Sequence, residues 1–214
     1  MSLEEIAKSA IALNFNEVGI VDHYCSFNYP INYLKEDNLA LFLDNVSSMS
    51  TMNICFFSGL EIDGCLGLDY LLNMINQGIF RADYVVVEHV GDTTSDYLSF
   101  HDFLFFAHHL SCPVGIVHPN LQLLSTSQSL ETTIQQLSEE DIFIDAYVKK
   151  PTPNWLDDFN HDTEDCNYYL KKYKIPIVPG TDTHQYNNIH YAKGALELLL
   201  SEGYTIPLFK QKNN

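Results

Sequence analysis

Positive charge is what this sequence has least of. Its 214 residues carry 11 lysines and arginines against 28 aspartates and glutamates, a formal net charge of −17, and Arg81 is its only arginine. Duplex nucleic acid is held largely by Lys and Arg that neutralise phosphates, so double-stranded nucleic acid is not an expected partner. Acidity on this scale points instead to a site for cations. Cysteine is sparse and irregular: Cys25, Cys55, Cys65, Cys112 and Cys166 form no C-x-x-C pair. That argues against a zinc ribbon or a disulfide framework and leaves reduced, mostly buried thiols. No apolar run reaches the roughly 18 residues that span a bilayer, so no membrane partner is expected. The first residues hold neither the basic n-region nor the h-region of a secretory signal, and the cytoplasm is the default location. What remains is apolar material, 46% of the chain, enough for one domain with a substantial core. No linker, low-complexity block or repeat divides residues 1–214.

The chain is organised around Ile175-Pro176-Ile177-Val178-Pro179-Gly180-Thr181-Asp182-Thr183-His184. A short β-branched run reads as a buried strand, and a carboxylate and an imidazole follow it two residues apart. Side chains two apart on extended backbone share a face, so Asp182 and His184 can enter one site at a strand's carboxyl end. The same sequence of apolar run and then His, Asp or Glu recurs at Val18 to His23, Ile54 to Glu61, Tyr84 to His89, Val114 to His118 and Ile142 to Asp145.

Helical patterns separate these runs. Ser2 to Leu13 starts with the Ser-x-x-Glu capping box of Ser2 and Glu5. Asp37–Ser48, Leu68–Asn76, Tyr97–Leu110, Leu130–Leu137, Thr163–Tyr173 and Ile189–Glu202 follow. Strands are expected from Glu17 to Val21, Asn53 to Ser58, Ala82 to Val87, Pro113 to Val117 and Asp141 to Ile144. Tyr24 to Lys35 reads as a flap over the site, and Lys149 to Asn160 as a proline-containing loop. Strand–helix alternation at this spacing predicts an α/β fold with a parallel sheet and right-handed crossovers. Periodicity leaves barrel and open sheet undecided. Polar residues at nearly every strand end favour a barrel, which aims all those ends at one centre.

Taken together, His23, Glu61, His89, His118, Asp182 and His184 form a candidate metal constellation. Imidazole with carboxylate suits zinc, manganese or iron. A bridging carboxylate holds two metals about 3.5–4 Å apart and allows hydrolysis by a metal-activated water. Glu88 and Asp63 are read as groups that orient an imidazole, with a plain surface role as the alternative. His101, His108, His109, His161 and His190 fall on helix or loop patterns and are read as surface or packing residues.

These residues resemble the PHP (polymerase and histidinol phosphatase) family of metal-dependent phosphoesterases. Val21-Asp22-His23 is similar to the family's T-D-H, Gly59-Leu60-Glu61 to its G-x-E, and Glu88-His89 to its S-x-H. Val117-His118-Pro119 and Gly180-Thr181-Asp182-Thr183-His184 complete the series. The resemblance implies a distorted (β/α)7-type PHP barrel holding up to three divalent ions of Zn, Mn or Fe. It implies that Glu61, His89 and His118 bind one metal, that Glu61 bridges to a second served by Asp182, and that His23 and His184 serve a third. The family's opening His-x-His strand has no counterpart in this sequence. The barrel expected here therefore lacks its first strand, and one to three metals remain possible.

The leading expectation is a metal-dependent phosphoesterase acting on a small phosphorylated substrate, with Lys149 and Lys150 beyond a strand end as candidate phosphate contacts. A PHP-type nuclease is one alternative. The other is a catalytically impaired domain that binds a partner protein, with a second copy or a partner chain at the open barrel edge.

Overall fold

Short, near-continuous buried runs build the sheet and helices with an apolar stripe cover it. A computed structural model describes residues 2–24, 36–50, 54–91, 97–124, 127–148, 164–181 and 189–207. The strands are β1 (Glu17–Tyr24), β2 (Cys55–Asp63), β3 (Tyr84–Glu88), β4 (Val114–Val117), β5 (Phe143–Tyr147) and β6 (Ile177–Gly180). The helices are α1 (Leu3–Ala12), α2 (Glu36–Ser48), α3 (Leu68–Asn76), α4 (Phe100–His108), α5 (Leu121–Leu124), α6 (Leu130–Glu139), α7 (Glu164–Lys172) and α8 (Ile189–Ser201). A 3-10 turn spans Gly64–Leu66.

All six strands are parallel and pair in chain order, β1-β2-β3-β4-β5-β6. Right-handed crossovers between neighbours taken in that order put the connecting helices on one face. The sheet curls into a half-barrel around the other face, a barrel-like α/β fold.

Local signals set the helix ends. Ser2 and Glu5 form the expected capping box, with Ser2 N–H donating to Glu5 Oε2 at 2.8 Å and Glu5 N–H to Ser2 Oγ at 3.3 Å. Ser99 and Ser129 cap α4 and α6 by accepting from Asp102 N–H and Thr132 N–H. Ser99 moves the start of α4 from the expected Tyr97 to Phe100. Strand β2 runs five residues beyond the expected Ser58, through Gly59 to Asp63. Tyr24, expected to open a loop, closes β1. The flap expected over residues 25–35 and the whole loop expected over Lys149–Asn160 lie outside the described residues.

Two cores result. Outward-facing Leu60, Ile62, Val85, Val87, Ile116, Ile144 and Ile177 pack with helix residues such as Leu71, Phe103, Phe106, Leu137 and Leu199. On the inner face Phe57, Tyr84, Val86, Val117 and Phe143 form a second cluster with Val21 and Val178 beside it. The inner space is tight. A Cβ on Gly59 would run into the Tyr84 ring and the Val21 methyl, and one on Gly115 into the Phe143 ring. These glycines let large aromatics fill the floor of the half-barrel.

Candidate metal centre at the strand ends

Strand register decides which polar side chains meet. His23 is paired with Glu61 across β1 and β2, and Asp63 with Glu88 across β2 and β3. Alternation from the inner aromatics carries Val21 to His23, Phe57 to Glu61, and Tyr84 through Val86 to Glu88. The carboxyl end of the inner face is therefore polar where its other end is aromatic. His23 Nε2 lies 3.4 Å from Glu61 Oε1. With Glu88 they form one group whose candidate ligand atoms all lie within 4.8 Å of one another. Glu61 is only 7% exposed. Two carboxylates this close repel each other, and an imidazole with two carboxylates is a donor set that suits zinc, manganese or iron(II). The chemistry of the residues fits a divalent cation.

A cavity of about 580 Å³ opens over this face, lined among others by His23, Glu61, His118, Asp145 and Thr181. His118 stands at its exposed edge, where its N–H donates to the Asp145 carbonyl at 2.9 Å and its ring meets Tyr147 edge-on at 5.7 Å. Beneath the polar residues, burial raises the Tyr84 hydroxyl well above its ordinary pKa, and the charges of Asp145, Asp83 and Glu61 push the same way. Tyr84 is a neutral floor to the site.

His89 takes a different place from His23 and Glu61. It follows the last inward residue of β3, so alternation alone would send it outward, but its backbone is left-handed at φ 55°. Its Nδ1 lies 2.9 Å from Asp63 Oδ1 and 3.9 Å from Glu88 Oε2. Asp63, Cys65 and His89 form a second group of candidate ligand atoms within 4.8 Å of one another. Asp63 is 3% exposed. Burial drives its carboxyl up, yet hydrogen bonds from the His89 ring, the Cys65 N–H and the Cys65 thiol together hold it below its ordinary value. His118 is left-handed as well, at φ 37°. Imidazole residues in this sparsely populated region at two strand ends mark the kind of local strain that clusters at functional sites.

Of the residues singled out in the sequence, His23, Glu61 and His118 thus line one cavity, while His89 sits with Asp63 and Cys65. Asp182, His184, Lys149 and Lys150 lie outside the described residues. Glu88 shares the His23–Glu61 group, although the sequence suggests only an orienting role. Its position two beyond Val86 is the signal that finds it. Asp145, inward by the same parity, also lines the cavity. Cys65 carries no sequence signal beyond being one of five irregularly spaced cysteines, and the structure leaves it half-buried. No protein-family model and no curated protein matches the chain.

Proposed function

We propose that this chain is a metal-dependent phosphoesterase of the PHP type that hydrolyses a small phosphorylated substrate. The observation that carries this reading is the His23–Glu61–Glu88 group at the carboxyl ends of three adjacent parallel strands, with His23 and Glu61 lining a cavity. The order of motifs from Val21-Asp22-His23 to Gly180-Thr181-Asp182-Thr183-His184 and the barrel-like parallel sheet support the family resemblance.

In this reading His23, Glu61 and Glu88 hold a divalent ion. Such an ion, when bound, polarises a phosphoryl oxygen and lowers the pKa of a water toward ~7. Glu61, nearly buried and beside His23, fixes the imidazole's orientation. His118, at the cavity edge, is placed to donate a hydrogen bond to a phosphoryl oxygen of the substrate. Phe57, Tyr84 and Phe143 give the cavity an apolar floor beneath the polar strand ends. The surplus of carboxylates favours a small substrate over a nucleic-acid chain, whose many phosphates the surface repels.

A titration with Mn²⁺ and Zn²⁺ against generic phosphomonoesters and phosphodiesters tests the proposal. Turnover that rises with metal and is lost in Glu61→Gln supports it. No turnover of either substrate class at saturating metal overturns it.

A further inference from the structure

Beside the His23–Glu61–Glu88 group lies a second cluster, to which the proposed function assigns no ion. Asp63 ends β2, Cys65 sits in the 3-10 turn that follows, and His89 follows β3. Gly64 brings these two chain segments together. A Cβ there would come within 2.7 Å of the carbonyls of Glu88 and His89, so only glycine lets the turn lie flush against the end of β3. The far side is pinned as well, because Leu98 N–H donates to the His89 carbonyl at 3.1 Å. The Asp63 carboxylate accepts from the Cys65 N–H at 2.9 Å and from the Cys65 thiol, and its Oδ1 lies 2.9 Å from His89 Nδ1.

We propose that Asp63, Cys65 and His89 form a zinc site of mixed oxygen, sulfur and nitrogen ligation, distinct from the His23–Glu61–Glu88 group. Three kinds of donor converge within 4.8 Å. Tetrahedral zinc with bonds of ~2.0–2.3 Å needs ligand atoms roughly 3.3–3.7 Å apart, so Asp63 Oδ1 and His89 Nδ1, now 2.9 Å apart, separate by a few tenths of an ångström on loading. Thiolate with imidazole selects zinc over manganese or magnesium. Loading releases the Cys65 thiol proton. His89 binds as the neutral tautomer with its proton on Nε2, on a ring that is 39% exposed. That exposed side is also the route in. Glu88 Oε2, 3.9 Å from His89 Nδ1, is a candidate fourth donor and the link to the neighbouring group.

Cobalt(II) added to the full chain tests this, because a bound thiolate gives a sulfur-to-cobalt charge-transfer band in the near ultraviolet. The band is expected in the wild-type protein, retained in Glu61→Gln and lost in Cys65→Ser, with zinc affinity down by about tenfold or more in Asp63→Ala. Zinc is also expected to slow alkylation of Cys65 in the wild-type protein at least tenfold, a readout that needs no variant to fold. A missing band, a band that survives Cys65→Ser, or alkylation of Cys65 indifferent to zinc overturns the proposal. Phosphoesterase turnover reads the other group, so the two proposals fail separately.

Discussion

The two faces of the curled sheet are built from the same strands and solve opposite problems. The outer face is largely apolar: Leu60, Ile62, Val85, Val87, Ile116, Ile144 and Ile177 are buried under helices that contribute Phe103, Phe106, Leu137 and Leu199. The inner face changes character along its length. Its floor is Phe57, Tyr84, Val86, Val117 and Phe143, and its carboxyl end is His23, Glu61 and Glu88. Strand alternation sends every second residue to each face, so one short segment, Gly59 to Asp63, supplies Leu60 and Ile62 to the core and Glu61 and Asp63 to the polar end. Tight apolar packing is concentrated on the outside, and the candidate metal ligands sit on the inside.

If that division holds, the costliest changes are on the outer face. Phe103 is fully buried, and Phe103→Ala is expected to cost about 3–5 kcal/mol in urea unfolding, with metal affinity of the folded fraction unchanged. On the inner floor Gly59→Val drives a side chain into Tyr84 and Val21. Overpacking of this kind costs about 1–3 kcal/mol and displaces Tyr84, so near-ultraviolet circular dichroism should change along with the unfolding midpoint.

At the polar end, Asp63→Ala removes the acceptor for the Cys65 N–H and the partner of His89 Nδ1, at a cost of about 1–3 kcal/mol. Its pH dependence has a definite sign. The Asp63 carboxyl is held below its ordinary value in spite of burial, by the His89 ring and by Cys65. Its contribution is therefore full above the ordinary aspartate pKa of ~4 and is lost as pH falls through the lower folded value. The stability gap between wild type and variant should close in acid, not in base. The smallest effect is a chemical contrast. Burial pushes the Cys166 thiol up to about 12, so at about pH 8 it should react with iodoacetamide far more slowly in the native protein than after unfolding in urea.

The outer face was the more legible of the two in the sequence. Strand–helix alternation and the Ser2–Glu5 capping box are local signals, and local hydrogen bonds realise them as expected. The parallel α/β class follows from the same pattern. The inner face was harder to read because it depends on register and space, which are not local. Gly59 reads as a strand end, yet it continues β2 because its missing side chain makes room for Tyr84 from the next strand. His89 reads as the polar end of its strand. Inward parity belongs to Glu88, one residue earlier, and a left-handed backbone turns His89 toward Asp63. Curling into a half-barrel arises from pairing in chain order, which hydrophobic periodicity does not encode.

Binding of Mn²⁺ to the wild-type chain and to Glu61→Gln, followed by calorimetric titration, bears most directly on the inner face as a metal centre. Manganese favours oxygen and imidazole over thiolate, so it reports on His23, Glu61 and Glu88 and not on Cys65. The amide keeps the volume and a hydrogen-bonding oxygen, and stability should stay within about 1 kcal/mol of wild type. The account predicts saturable binding that weakens by at least about tenfold in the variant. Equal manganese binding by the two proteins, or none by the wild type, would contradict it.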